Sequence, residues 1–313
     1  MGAYICFTDH ITIANKTSSN GALSQIGYKE VNDQVINEIV NNKKIKWIQI
    51  KDYLPDEAYK LIDTILSTRK ELIFRLFWFS DYDEVDISFL LKMPHLERLQ
   101  IDCIHFKSNP ERINFDVLTK LNLRSLRIEC FDLKNYEFIK NLSDDLEELA
   151  IMADTMGAGV KFDCSWLLKY KQLNSLWLGK RAKKNLECIS ELPSIRSLSL
   201  RGMKITDFSF LLQMNLDKLA LLWNSNADLH ELSKLEHLKE IELWRINKLS
   251  DISFIKDLTE LEVIKLQDLK HVNCLPDLSK HKNLQRVFLI DTGIDIKTLP
   301  EYLQEKVSNW DDR

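Results

Sequence analysis

One short pattern of apolar positions recurs along the chain: an apolar residue, a second three positions later, and a third two after that. Its clear copies are Leu96-Leu99-Ile101, Leu123-Leu126-Ile128, Leu146-Leu149-Ile151, Leu173-Leu176-Leu178, Ile195-Leu198-Leu200, Leu216-Leu219-Leu221, Leu238-Ile241-Leu243, Leu261-Ile264-Leu266 and Leu284-Val287-Leu289. Their starts are 27, 23, 27, 22, 21, 22, 23 and 23 residues apart. Two looser copies precede them, Ile45-Ile48-Ile50 and one around Ile73-Leu76-Trp78 whose register is ambiguous by one residue. The second and third positions are separated by one residue, which is polar in Gln100, Arg127, Ser199, Glu242 and Lys265, the spacing of a short strand with one buried face. A fixed period of this length predicts stacked units, each laying one strand beside the next about 4.8 Å away in a parallel sheet.

This L-x-x-L-x-L spacing resembles the leucine-rich repeat family, and the match runs over residues 45–294. The stretch from Leu249 through Asp251, Ser253, Leu258, Leu261 and Ile264 to Leu266 is similar to the short repeats of bacterial internalins and phosphatase-regulator proteins. Asp207-Phe208-Ser209 and Asp86-Ile87-Ser88 repeat its return segment. The resemblance implies an α/β leucine-rich repeat solenoid, a horseshoe whose concave side is the parallel sheet, and a protein-binding role. The family usually places Asn, sometimes Cys or Thr, eight positions after the first leucine. Here those positions hold Ile104, Phe131, Arg181, Met203, Asn224, Ile246, Leu269 and Thr292, among others. Apolar packing is therefore expected to replace most of that hydrogen-bonded ladder.

An array of about eleven units over 45–294 needs its ends covered, because a terminal repeat has no neighbour on one side. Residues 1–44 are assigned to an N-terminal cap, with strands expected at 4–7 and 11–13 and a loop at 17–21. Residues 295–313 are assigned to a C-terminal cap helix, opened by Pro300-Glu301, and a tail. Pro55-Asp56-Glu57 followed by Leu61, Ile62, Ile65 and Leu66 predicts a true helix, and Val31, Val35, Ile36, Ile39 and Val40 another. The later return segments leave room only for turns or short 3₁₀ pieces.

The residues between the inward ones, and the two that follow, are predicted to face the concave side. Three of the seven tryptophans fall there. Large aromatics and arginines on an exposed face are the residue types that dominate binding energetics. Trp177, Arg201, Trp223, Trp244, Arg245, Asp268 and Phe288 are thus the expected partner anchors, with packing of some of these tryptophans into the turns as the alternative. Trp47, Trp78 and Trp166 are assigned to packing and Trp310 to the tail.

Charge changes the picture by exclusion. Forty-three basic against 47 acidic residues give a net charge of -4, without the basic excess that nucleic acid or an anionic membrane calls for. Mixed signs along the concave positions, such as Arg98, Arg124 and Arg127 beside Glu129, Glu147 and Glu148, read as a solvated face or as complementarity to a protein of mixed charge. There is no secretory leader pattern and no apolar run near the ~18 residues of a membrane span. The expected setting is cytoplasmic, with a protein partner, no cofactor, no metal, and a monomer when unbound. Six cysteines without a C-x-x-C pair read as free thiols; Cys103 and Cys130 occupy equivalent strand-end positions and could approach one another. The seven histidines do not cluster at ligand spacings and are expected at the surface. Gly157-Ala158-Gly159, with Asp154 and Thr155, marks a longer connection. Neither a nucleophile elbow nor a phosphate loop is present. The chain reads as a non-enzymatic scaffold, for instance a toxin-immunity protein or a regulatory subunit. The alternative is an enzyme with an unfamiliar site, such as Cys103 with His105 or Glu129 with Asp102.

Overall fold

The computed structural model describes residues 9–18, 25–77, 79, 84–102, 113–130, 133–153, 159–225 and 228–308. The strand expected at 4–7, Trp78, Trp310, Cys103 with His105, and Asp154 to Ala158 lie outside them. The chain divides into two compact units, Met1–Phe162 and Asp163–Arg313.

In the first unit, strands β1 (His10–Ala14), β2 (Gln25–Gly27), β3 (Trp47–Ile50), β4 (Ile73–Phe77), β5 (Arg98–Asp102), β6 (Ser125–Ile128) and β7 (Glu148–Ile151) pair in parallel in the order β2-β1-β3-β4-β5-β6-β7. The doubtful copy resolves to Phe74 and Leu76: Ile48, Phe74 and Leu99 stand in register and are at most 1% exposed. Between Leu72 and Phe79 apolar residues occupy both parities of the strand, so spacing could not choose. Helix α1 (Asp33–Asn41) starts where the Asn32 carboxamide accepts the Val35 amide at 3.1 Å. Helix α2 (Asp56–Thr68) follows Pro55 and buries Ala58, Tyr59, Ile62, Ile65 and Leu66. Arg69, 4% exposed, donates to the carbonyls of Ile39, in the last turn of α1, and of Asn42 and Ile45 just after it, at 2.8 to 3.1 Å. The mixed charges of this sheet pair off: Arg75 with Asp102, Arg98 with Glu148 at 3.1 Å, Arg124 with Glu147, and Arg127 with Glu129.

The second unit stacks β8 (Ser175–Gly179), β9 (Ser197–Arg201), β10 (Lys218–Leu222), β11 (Glu240–Trp244), β12 (Val263–Gln267) and β13 (Arg286–Ile290) in chain order, all parallel. Leu219, Leu221, Ile241, Leu243, Ile264 and Leu266 are each at most 1% exposed, so every repeat adds its leucines to one apolar column. Each fully buried leucine or isoleucine contributes roughly 1.5–3 kcal/mol by area removed from water. The chain ends in a short α3 (Glu301–Gln304), after which Val307 bridges in parallel to Val287 on β13. His281 departs from the surface role expected of the histidines. It is 4% exposed and its Nε2 lies 3.0 Å from the Ile255 carbonyl, because the return segment turns that ring inward to meet a buried acceptor.

The return segments of both units begin alike. The side-chain oxygen of Asp86, Asn114, Asn135, Asp163, Asp207, Asp228, Asp251, Asp277 or Asp295 accepts the amide two residues on, opening a 3₁₀ piece in each case but Asp277, where a simple turn follows. Asp163 is the most heavily used: it takes the Ser165 amide and hydroxyl, the Asn185 amide group and Lys184 at 2.9 Å. Burial alone would raise its carboxyl, but the hydrogen bonds from Ser165, Lys184 and Asn185 hold it well below the usual carboxylate range. A depressed folded-state pKa contributes stability that is complete above the unfolded value of 3.8 and disappears as pH falls through the folded value. Urea unfolding should show Asp163→Ala less stable by about 2–3 kcal/mol near neutrality. The gap should hold from pH 7 to 5 and narrow below pH ~4; a gap that widens in acid contradicts the assignment.

Candidate functional site

The sheet face turned away from the leucine column of the second unit carries most of the expected anchors. Where each strand leaves the sheet, the next residue adopts a left-handed backbone: Gly202 (φ 66), Trp223 (φ 58), Arg245 (φ 51), Asp268 (φ 52) and Asp291 (φ 50). They occupy the same place in five consecutive repeats. Only Gly202 takes this conformation freely; an L side chain costs roughly 1–2 kcal/mol there, somewhat less for Asp.

What holds the column is a main-chain ladder. The amides of Gly202, Trp223, Arg245 and Asp268 donate to the carbonyls of Leu222, Trp244, Gln267 and Ile290 in the next repeat, at 2.7 to 2.9 Å, and Lys180 donates likewise to Arg201 at 2.6 Å. The expected apolar filling is also present, since Met203, Ile246 and Leu269 are buried one position later. Apolar packing and these amides together hold the strand exits. Asn224, one of two positions that keep a family residue type, is 5% exposed, and its Oδ1 accepts the Ser225 amide at 2.8 Å.

The left-handed turn tips Trp223 out of the sheet, leaving it 40% exposed. The Arg201 guanidinium lies 4.6 Å and that of Arg245 4.8 Å from its ring centroid. Trp244, the last residue of β11, meets the Trp223 ring edge to face with centroids 5.8 Å apart and planes at 85°. Its indole Nε1 donates to Asp268 Oδ2 at 2.8 Å, and the same oxygen receives Arg245 Nε at 3.2 Å and Nη2 at 3.0 Å. Each cation over the ring is worth about 0.5–1 kcal/mol and the aromatic pair about as much again, which offsets the backbone cost of the turns. Two shallow depressions flank Arg245, about 280 Å³ on the Trp223 side and about 330 Å³ on the Asp268 side.

Five expected anchors, Arg201, Trp223, Trp244, Arg245 and Asp268, therefore form one cluster. Asp268 acts within it as a clamp on two neighbours rather than as an outward group. Trp177 is half-buried on β8, in register with Ser199 and Ala220, and stands three strands from β11, about 14 Å by strand spacing. Phe288 is corrected: it is 1% exposed and offers no surface. Its strand β13 is flanked on its free side by the chain around Val307, so the final repeat does not present the open face of its predecessors. Leu222, also expected outside, is 7% exposed. Nearby, Glu240 bridges Lys218 at 3.1 Å and Lys265 at 2.6 Å; burial opposes its ionisation but the two lysines prevail and lower its pKa. Of the residues considered for catalysis, Glu129 pairs with Arg127, and Asp102 is 1% exposed and pairs with Arg75. Among the described residues no three potential ligands gather to hold a metal, and no helix is long and apolar enough to cross a membrane.

The sequence did not reveal the left-handed column, although it left a trace: Gly202, Asp268 and Asp291, types that tolerate positive φ, recur at the same repeat position.

No family model and no curated protein matches the chain. Solved structures do. An internalin of Listeria monocytogenes, InlF, superposes with a TM-score of 0.51 over 90% of this chain and 84% of its own, at 21% identity. Internalin C2 of the same organism gives 0.38 over 77% and 85% at 19%, and the functional domain of its InlJ gives 0.42 over 88% and 64% at 13%. The chain has the leucine-rich repeat fold, a solenoid of α/β class.

Backbone geometry at the strand exits can be checked directly. Asp291→Val, placing a β-branched residue at positive φ, should cost about 1–3 kcal/mol in urea unfolding, while Asp291→Gly stays within about 0.5 kcal/mol of wild type. Equal effects of the two would refute the left-handed assignment.

Proposed function

We propose that the chain is a non-enzymatic scaffold that binds one protein partner on the open face of its second unit, the side expected to be concave. Trp223 is the central anchor, with Arg201, Trp244 and Arg245 around it, Asp268 holding them in place and Trp177 at the far end of the contact. The observation that carries this reading is Trp223 itself: a large ring 40% exposed, fixed by two guanidiniums and a second tryptophan. A ring already ordered before binding loses little conformational freedom on contact, which is where affinity is otherwise spent. The fold supports the reading in general terms, as a repeat scaffold. Within it, a toxin-immunity protein and a regulatory subunit of an enzyme are the two roles considered, both as a chain that is monomeric until its partner arrives.

Affinity capture from a lysate of the source organism tests this, comparing wild type with a folded Trp223→Ala, Trp244→Ala, Arg245→Ala variant. Removing a central aromatic or arginine anchor typically costs 2 kcal/mol or more, so roughly thirtyfold weaker retention is expected. Equal retention by both chains moves the contact off this face. Rescue of cells from a co-expressed neighbouring toxin would single out the immunity role, and a captured host enzyme the regulatory one.

A further inference from the structure

The turns that follow the strands of the second unit are charged in a way the chain as a whole is not. Residues 180–184, 202–204, 223–225, 245–248, 268–270 and 291–293 hold eight cationic side chains and two carboxylates, Asp268 and Asp291, in a protein of net charge -4. The main-chain ladder stacks these turns one repeat apart, so the cations line one edge of the sheet. Two are committed: Lys184 to Asp163 at 2.9 Å and Arg245 to Asp268 at 3.0 Å. Lys180, Arg181, Lys183, Lys204, Lys248 and Lys270 make no ion pair among the described residues, and all but the half-buried Lys180 are exposed.

Six cations without an ion-pair partner, spread over four repeats, raise the local potential beside the Trp223 cluster, since Lys248 and Trp223 line the same depression, while Glu187 and Asp207 line the one that holds Lys183 and Lys204. Rest of the chain being acidic, this edge would select for its opposite sign.

We infer that the partner docks an acidic surface against this edge, carboxylate side chains meeting the unpaired lysines and Arg181 while its apolar or aromatic residues cover Trp223. This rests on the protein-binding reading and names the chemistry of the partner. A polypeptide fits better than a nucleic acid because Asp268 stands between Lys248 and Lys270 and Asp291 ends the edge, where a continuous phosphate backbone would need cations.

The test uses the full chain and fluorescence anisotropy of two labelled probes of equal charge, a glutamate oligomer and a thymidine oligonucleotide, in about 50 mM salt, where surface charges are weakly screened. The variant is Lys183→Glu, Lys204→Glu, Lys248→Glu; the control, Lys171→Glu, Lys234→Glu, Lys256→Glu, reverses three exposed lysines outside these turns. Thermal unfolding shows that both stay folded. Expected is binding of the glutamate oligomer by wild type and control, weakened about tenfold or more in the variant and by added salt. Equal weakening in variant and control, or no binding by wild type, overturns the inference, and tighter binding of the oligonucleotide overturns it in favour of a nucleic acid. If the lysine reversals have no effect while lysate capture is still lost in the Trp223 triple variant, protein binding stands and the acidic partner falls.

Discussion

Parallel stacking of one strand per repeat, in register, is the constraint from which the rest follows. Leu198, Leu219, Ile241, Ile264 and Val287 lie side by side, as do Leu200, Leu221, Leu243, Leu266 and Leu289. A one-residue slip would turn the whole set to solvent, so burial fixes the register strongly. Once it is fixed, equal offsets in sequence become columns in space. The Asx turns that open the return segments, the left-handed residues at the strand exits and the cations beyond them are each a consequence of that conversion.

The strand exit is where fold and candidate function meet. The amide there reaches the next repeat, at Lys180 without a positive φ and at Gly202, Trp223, Arg245 and Asp268 with one, and the left-handed backbone points the side chain away from the sheet. Glycine would be the cheapest occupant, and Gly202 shows that one repeat uses it. Trp223 and Arg245 are among the costlier choices, held by a cation–π contact to each other and by the Asp268 carboxylate. Placing large residues at strained positions and then bracing them is a pattern associated with binding sites, because a plain repeat gains nothing from it.

Much of this was readable from residues alone, for identifiable reasons. The leucine triplets announce the strands because burial on one face leaves a period-two mark, and Pro55 with two acids announces α2 because the first helical turn favours them. The register near Phe74 was not readable, since both faces of that strand are apolar. The clustering of Trp223 with Arg201, Trp244 and Arg245 was half legible: alternation says these residues leave the core, but contact among them depends on backbone sign at Trp223 and Arg245, which hydrophobicity does not encode. Phe288 was misread because the same alternation assumes an open face, and the last repeat is closed in by the end of the chain.

The central claim is that the braced face of the second unit is the one that binds. Backbone amide hydrogen exchange, measured with and without the partner recovered by capture, tests it most directly. The account predicts added protection at the strand exits around Gly202, Trp223, Arg245 and Asp268, with the 3₁₀ return segments unchanged. Protection confined to those return segments, with the strand exits unaltered, would contradict it.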